Sequence, residues 1–306
     1  MDAAKYIWMN GEFVAWEDAK VHVLSHTLHY GNGVIEGTKA YKTEKGYAIF
    51  RLDEHTRRLK ESAKMTLIDI PYSIEEMNQA QIDLVRMNKF TLDTVYLRPF
   101  AFLGYGVMGV YHKEAPVETV MAAWQWGAYL GEDALKHGIR LKIASMTRPA
   151  NTSNMGKAKA SANYLNSQMA KYEAIDCGYD EALLLDDQGY VAEASGACFF
   201  MVKNGELITP PNDNSLASIT QKMVIEMAKD FGIKVTRRRI TREEVYVADE
   251  AFLTGTAAEI TPIALVDARE IGCGSRGEMT EKIQSTYFDI VFGRNAKYEH
   301  YLTYID

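Results

Sequence analysis

Two lysines, Lys157 and Lys159, stand among small residues in the stretch Asn154-Met-Gly-Lys157-Ala-Lys159-Ala-Ser-Ala-Asn-Tyr164. Small neighbours leave room for a bulky planar partner, and a densely packed lysine with no carboxylate beside it is placed to act as a Schiff-base nucleophile. A solvated helix start is the plainer reading of the same residues, so the company they keep decides. Glu193 ends the apolar strand segment Tyr190 to Ala194, next to Ser195-Gly196-Ala197. A lone buried carboxylate needs a cation or a hydrogen-bond donor, and a pyridinium nitrogen is one candidate. Ser218-Ile219-Thr220-Gln221 has capping-box spacing, in which the serine takes the amide of Gln221 and leaves those of Ile219 and Thr220 to face an anion. Thr254-Gly255-Thr256-Ala257-Ala258 offers further hydroxyls and amides, and Arg58 a fixed positive charge. Each feature is weak alone. Together they provide a lysine, a carboxylate for a ring nitrogen and a phosphate cradle, which are the needs of pyridoxal phosphate.

Other motifs lead less far. Gly104-Tyr-Gly106-Val-Met-Gly109 matches the dinucleotide fingerprint after a strand. The fingerprint works only with a helix N-terminus at its third glycine, and Val110 to Pro116 has no helical period. His22, His26 and His29 lie at i, i+4 and i+7, but Val21 to Leu24 alternates like a strand and no nearby acid or cysteine completes a metal set. These histidines are expected outside a helix, bonded to backbone. A Gly-x-Ser-x-Gly elbow is absent, so nothing supports a serine hydrolase.

The elements that would hold these residues alternate strands and helices. Tyr6 to Trp16 reads as a hairpin turning at Asn10-Gly11. Strands follow at Val34 to Tyr41 and Tyr47 to Leu52, a helix from an Asp53 cap to Met65, and a second from Ser73, with Glu76 at capping-box spacing, to Lys89. Strands return at Thr94 to Leu103 and Glu118 to Trp126, an α+β order without βαβ repeats. The pattern breaks between Gly127 and Gly138, dividing residues 1–126 from 139–306 by an interdomain loop, 127–138. The second part carries helices near Ser161 to Ile175, Ser218 to Phe231 and Glu278 to Phe292, with strands at Ile139 to Met146, within Glu181 to Thr209, at Lys234 to Ile240 and at Glu250 to Thr254.

The composition is that of a globular chain, with 306 residues, 47% hydrophobic and 25% charged. A formal charge of -7 disfavours a nucleic-acid partner, and Glu243 and Glu244 follow the one basic run, Arg237 to Arg239. No apolar stretch reaches the roughly 20 residues of a membrane span. With no signal-like N-terminus and three scattered cysteines, the chain is read as cytoplasmic.

Lys159 to Tyr164, Glu193-Ala-Ser-Gly196, Leu216 to Thr220 and Gly255 to Pro262 closely resemble the branched-chain amino acid aminotransferases, which are fold-type-IV pyridoxal-phosphate enzymes. His29 to Gly37, Tyr96-Leu-Arg-Pro99 and Trp126-Gly-Ala-Tyr-Leu-Gly131 carry the likeness nearly end to end. The resemblance implies a small α+β domain, a larger pseudo-barrel domain and the cofactor between them. It selects Lys159 as the lysine that takes pyridoxal phosphate, Tyr164 as the partner of the ring hydroxyl oxygen, and Glu193 as the carboxylate at the ring nitrogen. Arg58, Leu216, Ile219, Thr220 and Thr256 match the remaining cofactor contacts. Tyr96 with the Thr256-Ala257 amides resembles the α-carboxylate site. Arg98 with Tyr30 and Tyr129 resembles the group that accepts the distal carboxylate of glutamate, and Ile35, Val110 and Trp126 complete the substrate pocket.

The implied activity moves the amino group of L-leucine, L-isoleucine or L-valine to 2-oxoglutarate by a ping-pong mechanism. The resemblance also implies a homodimer at least, or a trimer of dimers, with part of each pocket lent by a neighbour. Cys198 stands where the family usually has asparagine, Gln221 where it often has lysine or arginine, and Ile35 where it often has phenylalanine. A D-amino acid aminotransferase or aminodeoxychorismate lyase of the same fold is the nearest alternative, and a metal enzyme or dehydrogenase the distant one.

Overall fold

The computed structural model describes residues 4–111, 113–127 and 129–305. The chain forms two compact units. The first comprises Met1–Gly127, Ala158–Ala162 and Ile290–Asp306, the second Ala128–Lys157 and Asn163–Asp289. A single crossing near residue 127 was expected. The chain instead returns twice, because residues 158–162 bridge to a strand of the first unit and residues 290–306 supply its edge strand.

In the first unit β1 (Tyr6–Met9) and β2 (Glu12–Ala15) form the expected hairpin, with Asn10 and Gly11 at φ 52° and 96° as a type I′ turn requires. Then come α1 (His26–Tyr30), β3 (Gly33–Ile35), β4 (Thr38–Thr43), β5 (Gly46–Phe50), α2 (Leu52–Met65), α3 (Ile74–Asn88), β6 (Thr94–Leu103) and β7 (Val117–Gln125). The sheet is antiparallel, in the order C-terminal strand Leu302–Tyr304, β5, β4, β6, β7, β1, β2. β3 and β4 both lie along β6, as one strand broken at Glu36-Gly37 rather than the continuous run Val34 to Tyr41. Pro99 lies opposite the break. It has no N–H to give, and its carbonyl takes the Glu36 amide at 2.8 Å. Helix α3 has both bonds of the Ser73–Glu76 capping box. Asp53 does not cap α2: the helix starts at Leu52 after Arg51 at φ 52°, and Asp53 pairs with Arg57 one turn on. Leu59, Met77 and Leu84 from these helices meet Ile49, Leu97 and Met121 from the sheet to form the core.

The second unit contains α4 (Glu132–His137), β8 (Ile139–Ile143), α5 (Tyr164–Asp176), β9 (Glu181–Leu185), β10 (Val191–Ala194), β11 (Cys198–Lys203), β12 (Glu206–Thr209), α6 (Ile219–Asp230), β13 (Val235–Arg237), α7 (Arg242–Tyr246), β14 (Glu250–Gly255), β15 (Glu259–Val266), β16 (Arg269–Glu270) and α8 (Glu278–Val291). Its sheet runs β10, β9, β8, β15, β14, β11, β12, β13, with β16 beside β15, and β8 is parallel to both of its neighbours. A short turn joins β10 at one edge to β11 in the interior, and the Ala194 amide bonds the Ala197 carbonyl at 2.8 Å. The strands between them must therefore curl round until the two ends meet, the pseudo-barrel of the α+β reading. The segment 127–138, read as loop, contains α4 between Gly131 and Gly138, both at positive φ, with acids in its first turn and bases in its last. All three cysteines are free thiols, Cys198 buried and the others exposed. Among the described residues no helix is long and apolar enough to cross a membrane.

Candidate active site

The two lysines differ in setting. Lys157 is exposed, whereas Lys159 is half-buried between buried Ala158 and Ala160. The backbone of Lys159 is pinned on both sides within the first unit. Its carbonyl accepts the Ile35 amide of β3 at 2.9 Å, its amide donates to Ser62 Oγ of α2 at 3.0 Å, and Ala160 forms a bridge with Val34.

One face of α2 carries His55, Arg58 and Ser62 at i, i+3 and i+7. Glu36, with no exposed surface, accepts Arg58 Nε at 2.6 Å, Arg58 Nη2 at 2.9 Å and His55 Nδ1 at 2.8 Å. Burial pushes the Glu36 carboxyl up, but the Arg58 charge and the His55 hydrogen bond outweigh it and hold the group well below the usual carboxylate range. Burial pushes His55 down against the pull of Glu36, and the charges of Arg58 and Lys159 lower it further. A carboxylate only accepts, so His55 carries a proton on Nδ1, and the downward push from 6.5 leaves the ring neutral at neutral pH. Sequence reasoning missed both Glu36 and His55. The signal used for Glu193, a single acid in an apolar strand, was equally present at Glu36.

Tyr96 and Arg98 leave β6 two residues apart, so both side chains emerge on one face. Arg98 Nη2 donates to Tyr96 Oη at 3.2 Å, and its Cζ lies 5.3 Å from the Tyr96 ring centre and 5.9 Å from that of Trp124. Trp126 meets the Tyr96 ring edge-on at 5.0 Å. Among the described residues no carboxylate pairs with Arg98, and its Nε is buried without a partner. Gly37 makes this wall possible, because a Cβ there would lie 2.0 Å from Tyr96 Oη.

Tyr30 is not gathered into the group. It packs on the His26 and His29 rings and accepts the Gly109 amide at 3.2 Å, and Val110 beside it is exposed. The three histidines were expected outside a helix, yet His26 and His29 lie in α1, which Gly31 at φ 70° ends after one turn. Each ring bonds to backbone: His22 Nδ1 accepts the Leu24 amide, His26 Nε2 meets the Gly109 carbonyl and His29 Nε2 that of Val23. Among the described residues no three acids, histidines or cysteines gather as a metal set. The glycines 104, 106 and 109 lie in a loop with no helix after them, as their sequence context implied.

In the second unit Glu193 is buried on β10, where the pairing register slips between Val191 and Glu193 and re-aims the side chain. Arg148 Nη2 holds Glu193 Oε1 at 2.8 Å and is itself anchored to the carbonyls of Gly156 at 3.3 Å and Asn214 at 3.4 Å. No periodicity or spacing pointed to Arg148. Tyr164 opens α5. Ser218 Oγ accepts the Gln221 amide at 3.1 Å as the cap requires, with Ile219 and Thr220 buried in the first turn of α6 and Leu216 just ahead of it. Gln221 donates to Thr209 and accepts from Asn212 and Arg237, so a buried hydrogen-bond hub occupies this departure from the family pattern. Thr256 and Ala257 form the turn between β14 and β15, after Thr254, whose Oγ1 is buried without a partner. Cys198 lies opposite Thr254 in the ladder. Tyr129 is partly exposed near Lys171, and Ala128 beside it lies outside the described residues.

These arrangements offer a pinned lysine, two forked or paired carboxylates, a capped helix start and an arginine with no carboxylate partner among the described residues. The amino-transferase class IV family matches residues 33–266, and the chain belongs to that family. Its relatives are specific in name. The branched-chain-amino-acid aminotransferase of Pseudomonas aeruginosa is 48% identical over 299 residues, covering 98% of this chain and 97% of that one. The structure of the T.th. branched-chain amino acid aminotransferase with pyridoxamine 5'-phosphate matches at a TM-score of 0.95 and 46% identity, covering 99% of both chains. That enzyme complexed with N-(5'-phosphopyridoxyl)-L-glutamate matches at 0.94 and 45%, again over 99% of each chain. The family resemblance read from the sequence is borne out along the whole chain.

Proposed function

We propose that this aminotransferase moves the amino group of L-leucine, L-isoleucine or L-valine to 2-oxoglutarate in two half reactions, with pyridoxal phosphate as its cofactor. The observation that carries the reading is Arg98. One pocket must accept an apolar side chain in one half reaction and a carboxylate in the other. An arginine with no acidic partner among the described residues, set against the Tyr96, Trp124 and Trp126 rings, suits both. The names and complexes of the relatives support the branched-chain donor and the cofactor.

The residues fit that cofactor. The pinned, half-buried Lys159 suits its aldehyde, and the buried Glu193 its ring nitrogen. Tyr164 would hold the ring hydroxyl oxygen, while Arg58, Ile219, Thr220 and Thr256 would hold the phosphate, with Leu216 against the ring. Bound there, pyridoxal phosphate supplies an electron sink for Cα and stores the amino group between half reactions. Lys159 Nζ would hold the aldehyde end of the cofactor and would serve as the base and acid that moves the substrate Cα proton. Glu193 would keep a proton on the ring nitrogen, and its ion pair with Arg148 anchors one carboxylate oxygen. Tyr96 with the Thr256-Ala257 amides binds the α-carboxylate. Ile35, Trp126 and Tyr129 shape the side-chain pocket.

Assembly as a homodimer, or a trimer of dimers, accounts for Tyr30 and Val110, which we assign to a neighbour's pocket. The first unit also has an apolar cavity of about 370 Å³, lined by Met9, Val21, Leu28, Phe100 and Phe102 among others, and Val23 and Leu24, which follow Val21 in the sequence, are exposed. A second copy is its proposed cover. The test of the function is a donor panel of L-leucine, L-isoleucine, L-valine and D-leucine with 2-oxoglutarate, measuring glutamate. Turnover of D-leucine alone would assign the chain to the D-amino acid enzymes of this fold. A colourless protein, inactive with added cofactor, would sink the proposal.

A further inference from the structure

We propose that Glu36, supported by His55, is a positioning residue that fixes Arg58 as the phosphate-binding arm and sets its spacing from Lys159. The proposal rests on the reading of Arg58 as a phosphate ligand.

Glu36 sits at the break between β3 and β4, where Pro99 interrupts the ladder and lets the side chain turn inward. It accepts four hydrogen bonds. Oε1 takes Arg58 Nε, and Oε2 takes Arg58 Nη2, His55 Nδ1 and, at 3.2 Å, the Gly37 amide. A carboxylate so bonded, held well below the usual range, is not placed to exchange protons during turnover. Its work is geometric. The fork engages Nε and Nη2 together and so fixes the plane of the guanidinium.

Charge bookkeeping points the same way. The Glu36 anion and the Arg58 cation cancel, and His55 is neutral, so the cluster does not attract phosphate by net charge. What Glu36 contributes is orientation, since it sets the guanidinium plane before any anion arrives. The same two elements also locate the lysine. Ile35, next to Glu36, holds the Lys159 carbonyl, and Ser62, one turn beyond Arg58 on α2, holds its amide. A single strand residue pair and a single helix face therefore set the distance between the amine that meets the aldehyde and the cation that meets the phosphate.

The experiment compares the affinity of the apoenzyme for pyridoxal phosphate and for pyridoxal, which lacks the phosphate. Their ratio isolates the phosphate contribution, and binding of pyridoxal reports that the lysine site is intact. Glu36→Gln keeps the volume but presents one acceptor where the fork needs two. The ratio should fall about ten- to a hundred-fold, the scale of a charge-assisted hydrogen bond, with pyridoxal affinity retained. His55→Leu should lower the ratio less, and His55→Asn, which keeps an N–H near the Nδ1 position, should restore it. This pair decides the matter if Glu36→Gln does not fold. Arg58→Met separates the two levels of inference. If it leaves the ratio unchanged, Arg58 is no phosphate ligand and the proposal falls with that reading. If it collapses the ratio while Glu36→Gln and His55→Leu keep or raise it, the positioning role alone is wrong. Equal loss of both ligands in Glu36→Gln would reduce Glu36 to a support of the fold and overturn the proposal.

Discussion

Replacing Arg98 with methionine should separate the two half reactions. Among the described residues the one hydrogen-bond partner of the guanidinium is the Tyr96 hydroxyl at 3.2 Å, its Nε is buried unbonded, and the remaining contacts are aromatic faces at 5.3 and 5.9 Å. A second carboxylate arriving there would form a charge-assisted bond worth about 1.5–3 kcal/mol, or roughly ten- to 150-fold in kcat/KM, with a bidentate approach at the upper end. Glutamate and 2-oxoglutarate bring that carboxylate. Leucine does not, and methionine preserves most of the apolar stem that its side chain would touch. Single-turnover kinetics on the separated aldehyde and amine forms of the enzyme measure each half reaction alone. The 2-oxoglutarate step should lose its full share while the leucine step changes far less. Equal losses would show that Arg98 serves the shared α-carboxylate or the fold. The variant should also melt no lower than the wild type, since a part-buried cation without an acidic partner carries a desolvation cost that methionine removes.

Three further outcomes are expected. Lys159→Ala should abolish both turnover and the borohydride-trapped lysine adduct, and Lys157→Ala should keep both; an adduct trapped on Lys157 would reverse the assignment. Gly37→Ala puts a Cβ 2.0 Å from Tyr96 Oη. The displaced ring should cost about 1–3 kcal/mol of stability and raise KM for every substrate, so an unchanged melting temperature and KM would mean that Tyr96 is not held where it is needed. Burial and the 2.7 Å bond to Asp267 push Tyr246 from 10.0 up to about 12. Its folded value is the raised one, so its contribution to stability is complete below pH 10 and lost as pH rises through about 12. Tyr246→Phe should flatten the fall in melting temperature across that window, and an alkaline limb parallel to the wild type would refute the linkage.

Local chemistry was legible in the sequence wherever a few adjacent residues decide it. Asn10-Gly11 fixes its hairpin, Ser73 with Glu76 starts α3, and Ser218 caps α6, because each bond closes within a few positions. The helix at His26 to Tyr30 was hidden by the strand-like Val21 to Leu24 ahead of it, and one turn is too short to show a period. α4 was hidden for the same reason, although its glycines and charges marked both ends. Choices made over long separations left no local trace. Arg148 finds Glu193, Arg58 finds Glu36, and residues 158–162 return to β3, each through packing that no spacing rule encodes. The candidate lysine was legible down to its neighbours, but the two arginine–carboxylate pairs proposed to serve the cofactor emerged only from the fold.

The strand Leu302–Tyr304 closes on β5 through Leu302 to Phe50 and Tyr304 to Ala48, with the Ile305 amide on the Tyr47 carbonyl and the Arg51 amide on that of Tyr301. During synthesis β5 leaves the ribosome long before its partner exists, and until then it presents an open row of unpaired amides and carbonyls. Domains generally fold as units in the order they are made. Here that order is inverted, because the first unit awaits its last segment while almost all of the second has already emerged. The interval is when β5 can pair with another nascent chain, which makes slow translation of the intervening stretch a hazard to yield rather than a help.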